Sequence, residues 1–349
     1  MERLDVYLCN QPVGTLTRSD AGDLSFRYLP EYLKSNAIPL SSTLPLDTMP
    51  FKERDIAAFF SNLLPDESVR QKIADILHLT PEDTFGLLRL IGGDCAGAVA
   101  FYEPGKSPAT VAQPTYRELS TSEAASLLSD LSNRPLGIGD DFRGISGAGA
   151  QDKLIACLRD GKILLPLNGT PSTHIIKPAI DRFPESVFNE WFCMRLLKAC
   201  GFDTADCDIL EVDGTPYYVT TRYDRETQDG VTKRLHQEDF CQLLRCRPEV
   251  KYQDQGGPSI VECAKLLLNH AFATYCTADS STDESTLSLV AVTAYEATDE
   301  STESSTAATT DECTVLLSCT TAAEHHRNCQ KKGSELCLCE LFHNRYKFE

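Results

Sequence analysis

The chain has 349 residues, 42% of them apolar, and a formal net charge of −18; that length allows two or three domains with sizeable cores. The acidic balance argues against direct nucleic-acid binding by the bulk of the chain, and no apolar run reaches the length of a membrane span. The start, MERLDVYLCN, lacks the apolar core of a signal peptide, so a cytoplasmic protein is expected. Its 15 cysteines form no CxxC pair and read as buried free thiols rather than disulfides.

Leu4–Cys9, Thr15–Arg18 and Leu24–Leu29 read as strands, with Gln11-Pro12-Val13-Gly14 as the first turn. A proline-punctuated connector, Ile38 to Phe51, precedes three helical patterns at Glu53–Leu63, Asp66–His78 and Pro81–Leu88. Pro81 stands just inside the last of these, where proline is tolerated. Phe59-Phe60 reads as core in preference to a partner surface. Gly92-Gly93-Asp94 leads to a strand at Ala96–Tyr102, and EPGKSPATVAQPT, Glu103–Thr115, reads as a polar linker. Thr121 is expected to cap a short helix that reaches Leu131.

Ser146-Gly147-Ala148-Gly149-Ala150 has almost no side-chain bulk, so its backbone N–H groups could approach a phosphate closely. Two common phosphate loops are excluded. Gly144 and Gly149 have P-loop spacing, but Ala150-Gln151 follows where Lys and then Ser or Thr are needed. Gly147-Ala148-Gly149 begins a dinucleotide fingerprint but meets Asp152 where the third glycine belongs. By spacing alone the stretch is equally a phosphate loop or a plain small-residue turn. Leu154–Arg159 and Lys162–Leu167 flank Asp160-Gly161, a two-residue hairpin signal. Thr173–Lys177 is then a strand with a basic end. Loop, hairpin and strand lysine are the parts with which a kinase N-lobe holds nucleotide phosphates.

Ser186–Cys200 is the clearest helix, ended by Gly201, and Glu190 on it reads, from its residues alone, as a solvated helix glutamate in preference to a functional one. Cys207–Val212 and Thr215–Thr221 form another hairpin over Asp213-Gly214. His236 reads as structural, and Ile260–Phe272 is the last convincing helix. From Ser280 to Thr321, 19 of 42 residues are serine or threonine, too few apolar groups to offset chain entropy, so disorder is expected there. Between Asp279 and Glu340, 12 acidic residues face three basic ones, which places half of the net charge in this stretch. Cys329, Cys337, Cys339, His325 and His326 fit no standard zinc spacing.

SGAGAQDK followed by THIIKPA resembles the HipA family of bacterial toxin kinases, and the likeness runs from the amino terminus to about Ala273 through SNLLPDE, IGGDCAGAV, LHQEDFCQLL and VKYQDQGGPSI. The resemblance implies an α+β fold. Its expected parts are an N-terminal subdomain over residues 1–103, a linker over 104–116, a kinase-like N-lobe over 117–225, the opening of a helical C-lobe over 226–273, and an acidic tail over 274–349. It implies a transferase that moves phosphate from ATP, with Mg²⁺, to protein serine or threonine. Ser146, Gly147, Ala148, Gly149, Ala150, Gln151 and Lys153 would cover ATP, and Lys177 would meet its α- and β-phosphates. Glu190 would steady Lys177, and the Thr221 to Tyr223 hinge would meet the adenine. Thr221 stands where the family usually has glutamate, so a side-chain contact from that position is lost. Ser146 matches a serine whose autophosphorylation displaces the loop and silences the kinase. The implied partners are a HipB-like helix-turn-helix antitoxin, DNA only through that antitoxin, and a protein substrate such as an aminoacyl-tRNA synthetase, the glutamyl enzyme being the family's type target.

The family's Asp-Gly-His-x-Lys-Asn catalytic loop is missing from this chain. After Ile260 the asparagines are Asn269, Asn328 and Asn344, and five positions before them stand Ala264, Ala323 and Cys339, none of them an aspartate able to orient a hydroxyl. The expectation is a HipA-like kinase that is inactive in this chain, its C-lobe replaced near residue 274 by out-of-frame residues or a genuine acidic tail. Exposed apolar helix faces and low solubility would follow. The alternatives are a non-enzymatic antitoxin-binding corepressor or decoy, and a product without function.

Overall fold

The computed structural model of the chain describes residues 1–35, 37–108, 114–139 and 145–267, with two-residue pieces at 293–294 and 315–316. Apart from those two pieces, which pair with each other as an antiparallel ladder, the expected tail and its cysteine and histidine cluster lie outside these residues, as does the end of the helix expected to reach Phe272. Residues 260–267 are helical.

The first unit opens on three antiparallel strands, β1 (Glu2–Leu8), β2 (Gln11–Arg18) and β3 (Leu24–Tyr28). Gln11–Gly14 is therefore strand and not turn. The reversal is made by Cys9 and Asn10, both left-handed at φ 50° and 65°, as a tight two-residue hairpin requires. Pro12, which cannot donate to the ladder, is accommodated by a register shift in which Val6 faces Gly14 but Tyr7 faces Pro12. The short helix α1 (Pro30–Leu33) and strand β4 (Phe51–Lys52) follow, then α2 (Glu53–Ser61), α3 (Glu67–Ile76) and α4 (Thr84–Ile91), and β5 (Val99–Tyr102) completes a sheet of order β4-β3-β2-β1-β5. Helix α4 starts three residues beyond Pro81, because the Asp83 carboxylate accepts the Gly86 N–H at 2.8 Å and so fixes the cap. Phe59 and Phe60 are both 1% exposed. They pack among Phe26 and Phe101 at ring separations of 5.3–5.8 Å, which settles them as core.

The second unit begins with β6 (Thr115–Glu118), whose first two residues fall in the stretch expected to be linker, and α5 (Thr121–Ser129). Ser120, one residue before the expected cap, closes a capping box with Glu123. Strands β7 (Leu154–Arg159), β8 (Lys162–Leu167) and β9 (His174–Lys177), helix α6 (Ser186–Ala199), and strands β10 (Cys207–Val212) and β11 (Thr215–Thr221) follow. They build an antiparallel sheet of order β10-β11-β9-β7-β8-β6. Asp160-Gly161 and Asp213-Gly214 turn its hairpins with φ of 51°, 74°, 50° and 75°, as their sequence predicts. Gly201 ends α6 at φ 86°. Val187 and Met194 bury one face of α6 against the sheet, whereas Phe188, Phe192 and Leu196 remain 42–57% exposed.

The residues expected to open a helical lobe instead begin with a third Asp-Gly hairpin, β12 (Arg225–Gln228) and β13 (Val231–Arg234), over Asp229-Gly230. Helix α7 (Phe240–Leu243) is a single turn capped by Asp239. This segment lies against the first unit. Gln242 donates to the Phe59 carbonyl at 3.0 Å, Asn62 to the Cys246 carbonyl at 2.9 Å, and the His236 ring meets the Leu40 carbonyl at 2.8 Å. His236 is thus a seam residue, its own pKa lowered by burial.

Glu238 faces the Ser41–Ser42 turn in the same seam. Burial pushes its carboxyl up to about 7, with Ser41 and Ser42 opposing and Asp239 adding to the rise. A carboxyl that protonates more readily when folded contributes full stability below the ordinary glutamate value of about 4.3 and loses it as pH rises through about 7. Glu238→Gln is therefore expected to raise Tm by roughly 2–5 °C at pH 8 and to leave it unchanged near pH 4. Thermal melts of both proteins at the two pH values check this, and a shift independent of pH would overturn it.

Candidate functional site

The site begins where the small-residue loop leaves the first unit. Ser146 is fully buried. Its N–H donates to the Asp94 carbonyl at 3.2 Å and its hydroxyl to the Leu63 carbonyl at 2.6 Å. The side chain is thus turned away from any ligand above the loop. A Cβ on Gly147 would lie 2.4 Å from the Ile155 side chain, so glycine is what lets the loop lie against β7. Ala148 and Ala150 are exposed, and Gly149 between them adopts φ 102°, a conformation that disfavours other residues. Lys153 is buried under the loop, donating to the Ala148 carbonyl at 2.5 Å. Gln151 reaches the Pro178 carbonyl at 3.4 Å, and its own side-chain oxygen is buried without a partner. The loop therefore runs from the first unit to the end of β9.

Lys177 ends β9 in the middle of the sheet, opposite Tyr218 on β11. Its ammonium lies 2.6 Å from the Glu190 carboxylate on α6 and 5.6 Å from the centre of the Tyr218 ring. The pair is about four-fifths buried, at 18% and 24% side-chain exposure, so its charges are screened less than those of a surface ion pair. The Thr221 N–H donates to the Asp206 carbonyl and the Arg222 N–H to the Thr173 carbonyl, both at 2.8 Å. Burial pushes the Tyr223 phenol up, and its hydroxyl is hydrogen-bonded with the Gln237 side chain.

Directly behind this segment lies a cluster that the sequence reading treated only as hinge and motif. Asp94 and Asp224 face Arg222, Arg225 and Arg234, each 8% exposed or less. Asp94 Oδ1 accepts from Arg225 and Arg234 at 2.9 Å, and Oδ2 accepts from the Ser172 N–H at 3.0 Å and its hydroxyl at 2.5 Å. Asp224 takes Arg222 at 2.6 Å and the Gly97 N–H at 2.7 Å. Burial pushes the Asp94 carboxyl up, but Arg225, Arg234, Arg222 and the Ser172 hydroxyl more than offset this and hold it below the usual carboxylate range. Asp224 is lowered for the same reasons, with Arg222 and Arg225 opposing burial. Three arginines within 13 residues, in an otherwise polar segment, were the available signal.

For nucleotide phosphates the donors present fit: the Lys177 ammonium and the backbone N–H groups of a loop of small residues. Among the described residues no three His, Cys, Asp or Glu side chains come together as a metal site. Nor, among these residues, is any helix long and apolar enough to cross a membrane.

A model of the HipA N-terminal domain matches residues 4–102, and one of the HipA-like C-terminal domain matches residues 145–300, past the point where the sequence likeness was expected to stop. A putative kinase of Sinorhizobium fredii is 41% identical over 76% of this chain and 64% of its own length. The serine/threonine-protein kinase toxin HipA of Shewanella oneidensis is 30% identical over 73% of this chain and 58% of its own. A solved structure of the Shewanella oneidensis toxin–antitoxin system HipA, with HipB and operator DNA, superimposes with a TM-score of 0.60 at 28% identity, covering 74% of this chain and 60% of that one. The chain thus spans about three fifths of the length of these relatives.

Because the left-handed backbone at Gly149 resists a side chain, Gly149→Ala is expected to cost about 1 kcal/mol or more and to push Lys153 from the Ala148 carbonyl. Urea unfolding measures the loss; unchanged stability would show that the loop tolerates another backbone path.

Proposed function

The chain belongs to the HipA family, and from that premise we propose that it carries the ATP cradle of a serine/threonine protein kinase without the groups that transfer the phosphate. The observation that carries this reading is the 2.6 Å Lys177–Glu190 pair beside the loop of residues 146–153. Glu190 fixes the lysine rotamer, so its charge is already aimed when nucleotide arrives and little ordering cost remains. Lys177 would meet the α- and β-phosphates, and the N–H groups from Gly147 to Gln151 would cover them. The strand end from Thr221 to Tyr223 would meet the adenine. ATP supplies the phosphoryl group in an intact relative. Here no step is assigned, because after Ile260 no Asp stands five positions before an Asn, the spacing of the catalytic loop, and among the described residues no three His, Cys, Asp or Glu side chains gather as a metal site.

Ser146 is proposed as a phosphorylation site only in trans, by an intact kinase. Since its hydroxyl is bonded to Leu63 under the loop, the loop must lift before the hydroxyl can be modified. A cytoplasmic location is supported by the nine cysteines of the described residues, which form no disulfide with one another.

A second reading is favoured by the Shewanella oneidensis HipA structure, solved with HipB and operator DNA. The N-terminal unit here is intact, so the chain is a candidate binder of a helix-turn-helix antitoxin, touching DNA only through it and acting as corepressor or decoy.

Calorimetric titration with ATP is expected to show saturable binding that Lys177→Ala weakens about tenfold or more and Glu190→Gln several-fold, with no label passing from γ-labelled ATP to protein. Equal affinity in Lys177→Ala would sink the cradle, and label transfer would sink the claim of inactivity.

A further inference from the structure

The phosphate loop, the lysine strand and the hinge all belong to the second unit, yet each is tied to one residue of the first. We propose that Asp94 is a positioning residue for the nucleotide site, holding these three segments in mutual register from the N-terminal unit. The proposal rests on the cradle reading above and adds a residue to it that touches no ligand.

The geometry is specific to the segments that matter. The Asp94 carbonyl accepts the Ser146 N–H at 3.2 Å, the bond that fixes where the phosphate loop starts. Its Oδ2 takes both donors of Ser172, two residues before β9 and five before Lys177. A strand advances about 3.3 Å per residue, so a displacement at Ser172 is passed along a stiff element to the ammonium. Its Oδ1 takes Arg225, while Ser172 in turn receives Arg222 on its hydroxyl at 2.9 Å. The segment that follows β11 is thereby fixed to the approach to β9, a link repeated by the Arg222 N–H to Thr173 carbonyl bond.

Simple adhesion between the two units would not need this arrangement. Apolar contact joins surfaces as well or better than buried charge, and apart from the bond to Arg234 at the end of β13 the polar bonds of Asp94 end on the flanks of the three nucleotide segments, not on helix faces. Removing the Asp94 charge leaves three buried guanidinium groups against the single carboxylate of Asp224, so the segments that carry them must separate or rearrange. By linkage, any gain in nucleotide affinity from this register is matched by a gain in its order when nucleotide binds.

The test uses Asp94→Asn and the milder Ser172→Ala, with Val6→Ala in the core of the first sheet as a control of lowered stability away from the site. ATP titration and amide hydrogen exchange are both measured on the full chain. Asp94→Asn is expected to weaken ATP about tenfold or more and Ser172→Ala about threefold. Amides of residues 146–153 and 172–177 should exchange at least about tenfold faster in Asp94→Asn, with Val6→Ala changing neither readout. Wild-type affinity and exchange in both site variants would overturn the proposal, as would equal changes in Val6→Ala. Should Asp94→Asn fail to fold, Ser172→Ala decides alone. If the wild type binds no ATP, the cradle reading falls, and the exchange comparison, which needs no nucleotide, still decides the role of Asp94.

Discussion

Two carboxylates facing three guanidinium groups, all out of water, set the terms for the rest of this molecule. Taking such charges out of solvent costs several kcal/mol per ion, and only near-complete hydrogen bonding makes the arrangement tolerable. That requirement reaches far along the chain: Asp94 and Gly97 come from one unit, and Ser172, Arg222, Asp224, Arg225 and Arg234 from the other. Asn10 and the Gly169 carbonyl complete the donors of Arg234 at 2.9 Å. The units are therefore not beads on a linker. Misplacing either one strands a buried charge, a far larger penalty than the loss of a surface contact.

Within the second unit the sheet order does the remaining positioning. Strand β9 lies between β11 and β7, bonded on both edges, so Lys177 projects from the least mobile part of the sheet. Helix α6 packs Val187 and Met194 onto that sheet, which brings Glu190, on the intervening turn, to the lysine. The pair follows from strand pairing and one helix face and needs nothing from the hairpin and short helix beyond β11. The loop is different. Its start is fixed through Ser146 to Leu63 and Asp94, so its seating depends on both units at once.

What could be read from the sequence was local. Asp-Gly between apolar runs located two hairpins to the residue, because φ > 0 at both turn positions leaves few alternatives. The same signal at Asp229-Gly230 was passed over, since the surrounding residues are polar and the hairpin lies at the surface. Pro12 drew the first turn two residues too late, because a bulge absorbed the proline. Pro81 and Thr121 misplaced two helix starts that Asp83 and Ser120 fix by side-chain bonds. The likeness to a known family supplied Lys177 and Glu190 as partners, which spacing alone left open. Asp94 stayed hidden because its partners lie 78 to 140 positions away, and no local pattern marks a carboxylate whose role is set by residues so distant.

The division of labour along the chain explains how binding and transfer can part company. The bonds that fix the proposed cradle run from residue 63 to residue 234 and consist of strand ladders, one helix and the Asp94 cluster. The carboxylates that orient a hydroxyl and hold Mg²⁺ come, in a kinase, from a later helical lobe. Among the described residues Phe188, Phe192 and Leu196 on α6 and Ile260 and Val261 on the 260–267 helix are 42–73% exposed. A ligand that binds the folded units adds stability by mass action whether or not phosphate is transferred. Binding and transfer are for this reason separable properties, each resting on its own set of groups.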